Sequence, residues 1–313
     1  MDASAQPSLY RNGKVFTRRD IDGSDSGWQG VNFIEQHVPI RNARTLQQEK
    51  RCNVVESGFE LLHRPVSTAS IDFLDHADVV RNYYPQCADI VREVTGAHVF
   101  AFDHNVRSAT GKKSQKRIAG GQQVQGPAHV VHGDYTLTSA PQRLRDLTKP
   151  PGANDTVRHV LKEGQSLISP ELAARALDGK GRFAIINVWR NIAKEPVATN
   201  PLALCDAHTV GLDDLVVFEI HYKDRIGENY FARYADRHRW YYYPGITGEE
   251  ALLIKQWDSA GKLARTKGAE SDAGDKPGAP CTFSFHSAFE DPDTPDDAPD
   301  RWSIEVRCMV VYD

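Results

Sequence analysis

The sequence predicts a mainly β fold with flanking helices, a double-stranded β-helix core of the jelly-roll, cupin-like kind. Three observations carry this. Seven β-branched or aromatic runs, at 182–191, 215–222, 229–234, 239–243, 252–257, 282–289 and 302–312, follow one another with Gly, Pro, Asp and Asn between them. Helical periodicity is confined to the stretches before those runs. The 313 residues suffice for one large core, and no internal repeat divides them. The expected organisation is a single domain over 1–313, with an N-terminal extension and outer helix over 1–95. A jelly-roll core over 98–313 follows, with a helical insert near 140–178.

In chain order, residues 1 to about 75 are irregular, and 54–63 reads as a short strand pair. Pro85 near a first turn, Cys87, Ile90, Val91 and Val94 at helical spacing, and Gly96 as a stop predict a helix packed outside a sheet. Residues 98–106 place Val99 and Ala101 on one face and Phe100 and Phe102 on the other, the pattern of a strand covered on both sides. Residues 108–126 are rich in Gly, Lys and Gln without apolar period, which predicts a mobile loop, either a plain surface loop or a lid over the barrel mouth. Helices are expected over 140–147 and 170–177, the second with Ser169 as N-cap, Pro170 at its first position and Gly179 past its end. Residues 264–280 and 291–300 read as loops.

The formal charge is −4 with both signs interspersed, and Lys112, Lys113, Lys116 and Arg117 form only a local cluster, so no nucleic-acid partner is expected. Five scattered cysteines without C-x-x-C spacing point to a reducing compartment. The N-terminus lacks signal-peptide character, and no run approaches the ~20 apolar residues needed to span a bilayer. A cytoplasmic protein without membrane contact is the expectation. Oligomeric state is not legible.

The chemical centre of the chain is His132-Gly133-Asp134. In an extended segment His132 and Asp134 project to one face, and an imidazole with a carboxylate makes two of the three ligands of a non-haem Fe(II) facial triad. The third should come from a late strand lining the barrel mouth, and His286 meets this requirement. His238, opening the aromatic run 238–243, and His208 are rivals. Beyond His286 lie a Pro/Asp loop and then Arg301 and Ser303, which share a strand face.

This combination resembles the Fe(II)/2-oxoglutarate-dependent oxygenases, in which His-x-Asp, a distal His and an Arg-x-Ser complete the site. The strings VHGDYT, SAPQRLRDL, RFAIINVWRNI, PLALCDAHTV, HRWYYYPGI, LLIKQWDS, FSFHSAFEDP and RWSIEVR narrow the resemblance. They are similar to the hydroxylase/desaturase family of fungal and bacterial natural-product pathways, which includes relatives of the cephem methoxylase and of gibberellin desaturases. The resemblance implies Fe(II) on His132, Asp134 and His286, and the distal carboxylate of the cosubstrate 2-oxoglutarate on Arg301 and Ser303. It also implies O2-dependent hydroxylation or desaturation of a small secondary metabolite. The gap of 15 positions from His286 to Arg301 is longer than the commonest family spacing and leaves Arg307 as a rival anchor, although Arg307 is expected about 20 Å further along the strand.

Candidate substrate residues are Arg107 beside the proposed lid, Asn187 and Trp189 on one strand face, Arg190 on the other, and Trp240. Arg190 and Arg107 have a plainer reading as surface ion pairs and Trp240 as a core aromatic. Two other classes compete: a cupin-type isomerase or hydrolase without 2-oxoglutarate, and a non-catalytic partner chain. The Arg301 and Ser303 pair argues against the first and the intact His132/Asp134 pair against the second. Asp134 also disfavours halogenation, since a halogenase would carry Ala or Gly there.

Overall fold

Residues 183–191 (FAIINVWRN) and 303–311 (SIEVRCMVV) form two fully neighbouring strands whose alternate side chains face an outer apolar core and an inner polar site. They lie in a computed structural model that describes residues 6–11, 13–19, 27–48, 51–67, 71–152, 155–223, 226–264 and 278–313. Its strands are β1 (Phe16–Arg18), β2 (Ile40–Asn42), β3 (Phe59–His63), β4 (His98–Arg107), β5 (His132–Gly133), β6 (Phe183–Asn191) and β7 (Leu202–Cys205). There follow β8 (Leu215–His221), β9 (Ile226–Ala232), β10 (Trp240–Tyr242), β11 (Glu250–Asp258), β12 (His286–Ala288) and β13 (Ser303–Val311). The helices are α1 (His76–Asp78), α2 (Tyr84–Thr95), α3 (Ala109–Lys113), α4 (Ser139–Asp146) and α5 (Pro170–Leu177).

The strands form two sheets, one of eight in the order β1-β8-β9-β5-β12-β7-β10-β2 and one of five in the order β3-β11-β6-β13-β4. Such a pair of facing sheets is the jelly-roll arrangement. Helix α2 carries Pro85 in its first turn and ends on Gly96 in the left-handed conformation (φ 66°), a backbone state that glycine adopts without strain. Its Cys87 and Val91 pack on the outer face of the five-stranded sheet, against Ala184, Ile186, Val188, Val306 and Val310. Leu144 of α4 and Ala173 and Ala176 of α5 join Phe183, Ile185, Phe283, Phe285 and Met309 in a second core. Ser169 caps α5 by accepting from the Leu172 N–H (3.2 Å).

Several expectations are corrected. Only 59–63 of the expected 54–63 strand pair is a strand, and Asn53 closes the preceding turn by accepting from the N–H groups of Val55 and Glu56. The 108–126 stretch is not featureless. Ser108 caps α3 through the Gly111 N–H (2.8 Å), the Asp300 carboxylate accepts from the Ser108 and Thr110 hydroxyls, and Ile118 and Val124 are buried. Of the expected 282–289 strand only His286–Ala288 is regular; before it the Ser284 N–H donates across to the Lys255 carbonyl (3.0 Å) and the Ser284 hydroxyl to the Cys205 carbonyl (2.8 Å). Strands β1, β2 and β7 had no counterpart in the sequence reading. Most of the expected 264–280 loop lies outside the described residues.

Arg190 is neither a surface residue nor a neighbour of the inner site. It points into the outer core, 1% exposed, and donates to the Tyr83 hydroxyl (2.8 Å) and the carbonyls of Gly248 (2.6 Å) and Arg64 (2.7 Å). Arg190→Leu leaves the buried Tyr83 hydroxyl without this partner and unbonds two part-buried carbonyls, so urea unfolding of the metal-free protein should show a loss of roughly 2 kcal/mol or more. Iron affinity of the folded variant should be unchanged.

Candidate active site

Strand pairing assembles the site. His132 lies opposite His286 in the β5–β12 register, and residues directly opposite each other share a sheet face. Their rings stand 4.4 Å apart between centroids, and His132 Nε2 is 3.6 Å from Asp134 Oδ1. One ligand atom from each of His132, Asp134 and His286 falls within 4.8 Å of the others, and no other such group of three occurs among the described residues. His132 Nδ1 donates to the Val130 carbonyl (2.7 Å), which leaves the Nε2 lone pair toward the cluster, the tautomer a metal requires. Neither rival joins them: His238 is bonded to Asp214 (2.9 Å) and His208 to Asp206 (2.8 Å).

The opposite sheet holds Asp134 in place. Asn187 on β6 donates to Asp134 Oδ2 (2.9 Å), Arg307 Nε on β13 approaches the same oxygen (3.4 Å), and the Asp134 N–H donates to Gln256 on β11 (3.1 Å). Burial by itself would raise this carboxyl, but Arg307, His286 and His132 together hold it well below the usual carboxylate range. Arg307 also pairs with Asp103 (3.0 Å). The expectation that Arg307 lies far from the metal ligands is therefore wrong, because β13 runs across the mouth and brings its Arg307 end to Asp134.

Arg301 and Ser303 lie toward the other end of the same face. Strand β13 pairs with β4 and β6 in the five-stranded sheet, whereas the His286 strand belongs to the eight-stranded one. Arg301 is 2% exposed, its guanidinium 5.7 Å from the Trp189 ring centroid and donating to the Asn200 carbonyl, and burial pushes it down to about 10. Asn187, Trp189 and Arg107 all reach this inner pocket or its wall, whereas Trp240 lines a separate outer groove. Glu305, between Ser303 and Arg307, was missed by the sequence reading although it shares their parity. Its carboxylate accepts from Asn187, and burial and then Asp134 raise it.

Five buried polar atoms around the pocket, His286 Nδ1, Asn187 Oδ1, Gln256 Nε2, Arg301 Nε and Ser303 Oγ, have no hydrogen-bond partner among the described residues. Such atoms cost free energy unless a further group satisfies them. Arg301 and Ser303 both supply donors, so the unpaired set fits a carboxylate, and two imidazoles with one carboxylate fit a divalent metal.

A jelly roll bearing His-x-Asp and a distal His on facing positions of its mouth defines a mononuclear non-haem metal oxygenase. A family model described as "Oxidoreductase/YMDC permease-like domain" matches residues 10–311. An uncharacterized protein in the dcmA 3′ region of Methylophilus leisingeri is 48% identical over 61% of this chain and 88% of its own length. The Fe(II)/2-oxoglutarate-dependent dioxygenase nvfI of Aspergillus novofumigatus is 30% identical over 89% of this chain and 84% of its own. A solved structure of the iron and alpha-ketoglutarate-dependent endoperoxidase NvfI superposes with a TM-score of 0.69 at 25% identity, covering 95% of this chain and 93% of that one. The chain belongs to the Fe(II)/2-oxoglutarate-dependent dioxygenases. No helix among the described residues is long and apolar enough to cross a membrane.

Burial pushes His132 and His104 down from the ordinary 6.5 to about 4. Between pH 6.5 and 4 the unfolded chain therefore takes up protons that the folded chain refuses, so stability is greatest above 6.5 and falls as pH drops. Thermal unfolding of the chelator-treated protein should show a lower midpoint at pH 5 than at pH 7.5, and a midpoint unchanged or higher at pH 5 would contradict the assignment.

Proposed function

We propose that His132, Asp134 and His286 hold Fe(II), that Arg301 and Ser303 bind the distal carboxylate of 2-oxoglutarate, and that the enzyme hydroxylates or desaturates a small secondary metabolite within one domain spanning the chain. The observation that carries this is the set of unpaired buried donors facing the metal-ligand cluster. Bound together, the metal and 2-oxoglutarate supply the oxidising power of O2 for C–H cleavage, with succinate and CO2 as by-products. The chain's own residues position and exclude. His132 and His286 enter the metal shell already neutral, Asn187 and Arg307 fix the Asp134 carboxylate, and Trp189 with Leu202 and Ala288 walls the pocket against water.

A groove of about 820 Å³ adjoins the pocket, and Ala288 borders both. This volume suits a small organic molecule, for which sites run to roughly 300–1,000 Å³. Phe231, Trp240, Tyr242 and Phe289 line the groove, so the substrate seated there presents apolar or aromatic surface. The family name "Hydroxylase/desaturase" of poxK from Penicillium oxalicum, 31% identical over 75% of this chain and 66% of its own length, supports the reaction type. A cupin acting without 2-oxoglutarate would leave the unpaired Arg301 and Ser303 donors unexplained.

His132→Ala and His286→Ala should each abolish substrate-dependent succinate release and lower Fe(II) affinity, whereas His238→Ala should retain metal binding. Asp134→Ala should likewise abolish turnover and also lose stability, because Arg307 then loses one of its carboxylate partners. Hydrogen bonds between charged partners contribute about 1.5–3 kcal/mol, so Arg301→Leu should raise the 2-oxoglutarate requirement roughly 10- to 100-fold, with Ser303→Ala costing less. Wild-type metal binding in His286→Ala would remove that ligand from the assignment.

A further inference from the structure

We propose that Arg107 is a second cationic arm for the cosubstrate, seated with Arg301 and Ser303 around the distal carboxylate of 2-oxoglutarate. This rests on the reading of the site given above and adds to it a residue outside the His-x-Asp, His and Arg-x-Ser set. Arg107 closes β4 directly opposite Ser303 in the β4–β13 register, so the two side chains share the inward face. It lines the same pocket as Arg301 and the three metal-ligand candidates. It donates to an uncharged group, the Gly126 carbonyl (2.8 Å), and Arg301 likewise donates to the Asn200 carbonyl. Neither guanidinium forms an ion pair among the described residues, which is costly for Arg301, buried, and less so for Arg107, half-buried.

Charge balance makes the same point. Arg307 is matched by Asp103, and a divalent metal on two neutral imidazoles and Asp134 carries one net positive charge. Arg107 and Arg301 add two more, and Glu305 removes one. The remaining two positive charges equal the charge of one dicarboxylate dianion.

The test is an anaerobic titration of Fe(II)-loaded wild type, Arg107→Leu and Arg107→Lys with 2-oxoglutarate, read by the visible charge-transfer band of the 2-oxo acid chelate and by calorimetry. Pyruvate, which has the 2-oxo acid group without the distal carboxylate, is titrated in parallel. Arg107→Leu should weaken 2-oxoglutarate roughly 10- to 100-fold and Arg107→Lys by less, since Lys keeps the charge and loses the fork, while Fe(II) and pyruvate affinities stay the same. An unchanged 2-oxoglutarate affinity in Arg107→Leu beside a large loss in Arg301→Leu would overturn the proposal. Equal losses for pyruvate and 2-oxoglutarate would also overturn it, by moving Arg107 to the metal-side carboxylate. If Arg107→Leu does not fold, Arg107→Lys decides alone: unchanged affinity rejects the proposal. Absence of any 2-oxoglutarate binding by wild type would instead refute the underlying reading of the site.

Discussion

The Asp134 carboxylate is the tie on which the site depends. It leaves the eight-stranded sheet at the end of β5 and is received by the five-stranded sheet through Asn187 (2.9 Å) and Arg307 (3.4 Å). A candidate metal ligand is thereby fixed by residues of the opposing layer, so the gap between the sheets and the geometry of the His132/Asp134/His286 cluster are set together. Side chains that orient ligands in this way usually matter nearly as much as the ligands themselves. The Asn187 amide also reaches Glu305, which couples Asp134 to the second buried carboxylate and to the arginines beside it.

That arrangement is possible because β6 and β13 are two-sided. Ile304 and Val306 on β13 and Ile186 and Val188 on β6 bury outward against α2, while Ser303, Glu305, Arg307, Asn187 and Trp189 turn inward. The outer apolar contacts carry the stability, which frees the inner face to hold charges and unpaired donors that cost stability when nothing is bound. A site assembled this way gains when its ligands arrive, since binding to the folded state alone stabilises it by mass action. Arg190 marks the limit of the division. It is a charge on the outer face, tolerated because three oxygens satisfy it.

Local parity was legible in the sequence, and long-range placement was not. His132 with Asp134, Arg301 with Ser303, and Asn187 with Trp189 were each read as sharing a face, because strand alternation is a two-residue rule. The helix ending at Gly96 and the Ser169 cap were readable for the same local reason. Which sheet received β13 was decided by pairing with β4 and β6, over a hundred residues upstream, and no local pattern records that. Strand β2 (IRN) has no apolar alternation at all and exists because it pairs in parallel with β10. Ser108 at the start of α3 offered a capping signal, yet the Asp300 partner that anchors it lies 192 positions away.

The two cavities differ in what builds them, and this bears on how one scaffold serves several oxidations. Around His132, Asp134 and His286 the lining side chains come largely from strands whose register fixes them, including β4, β6, β12 and β13. The adjoining groove draws on irregular segments, among them 33–38 before β2 and 289–293 after β12. Connecting segments tolerate sequence change far better than paired strands do. Substitutions in those segments can reshape the groove without disturbing the Asp134 tie, the two histidines or the arginines. The relatives at 25–31% identity carry the names hydroxylase/desaturase, for poxK, and dioxygenase or endoperoxidase, for NvfI, which agrees with a register-held pocket beside a groove built from variable segments.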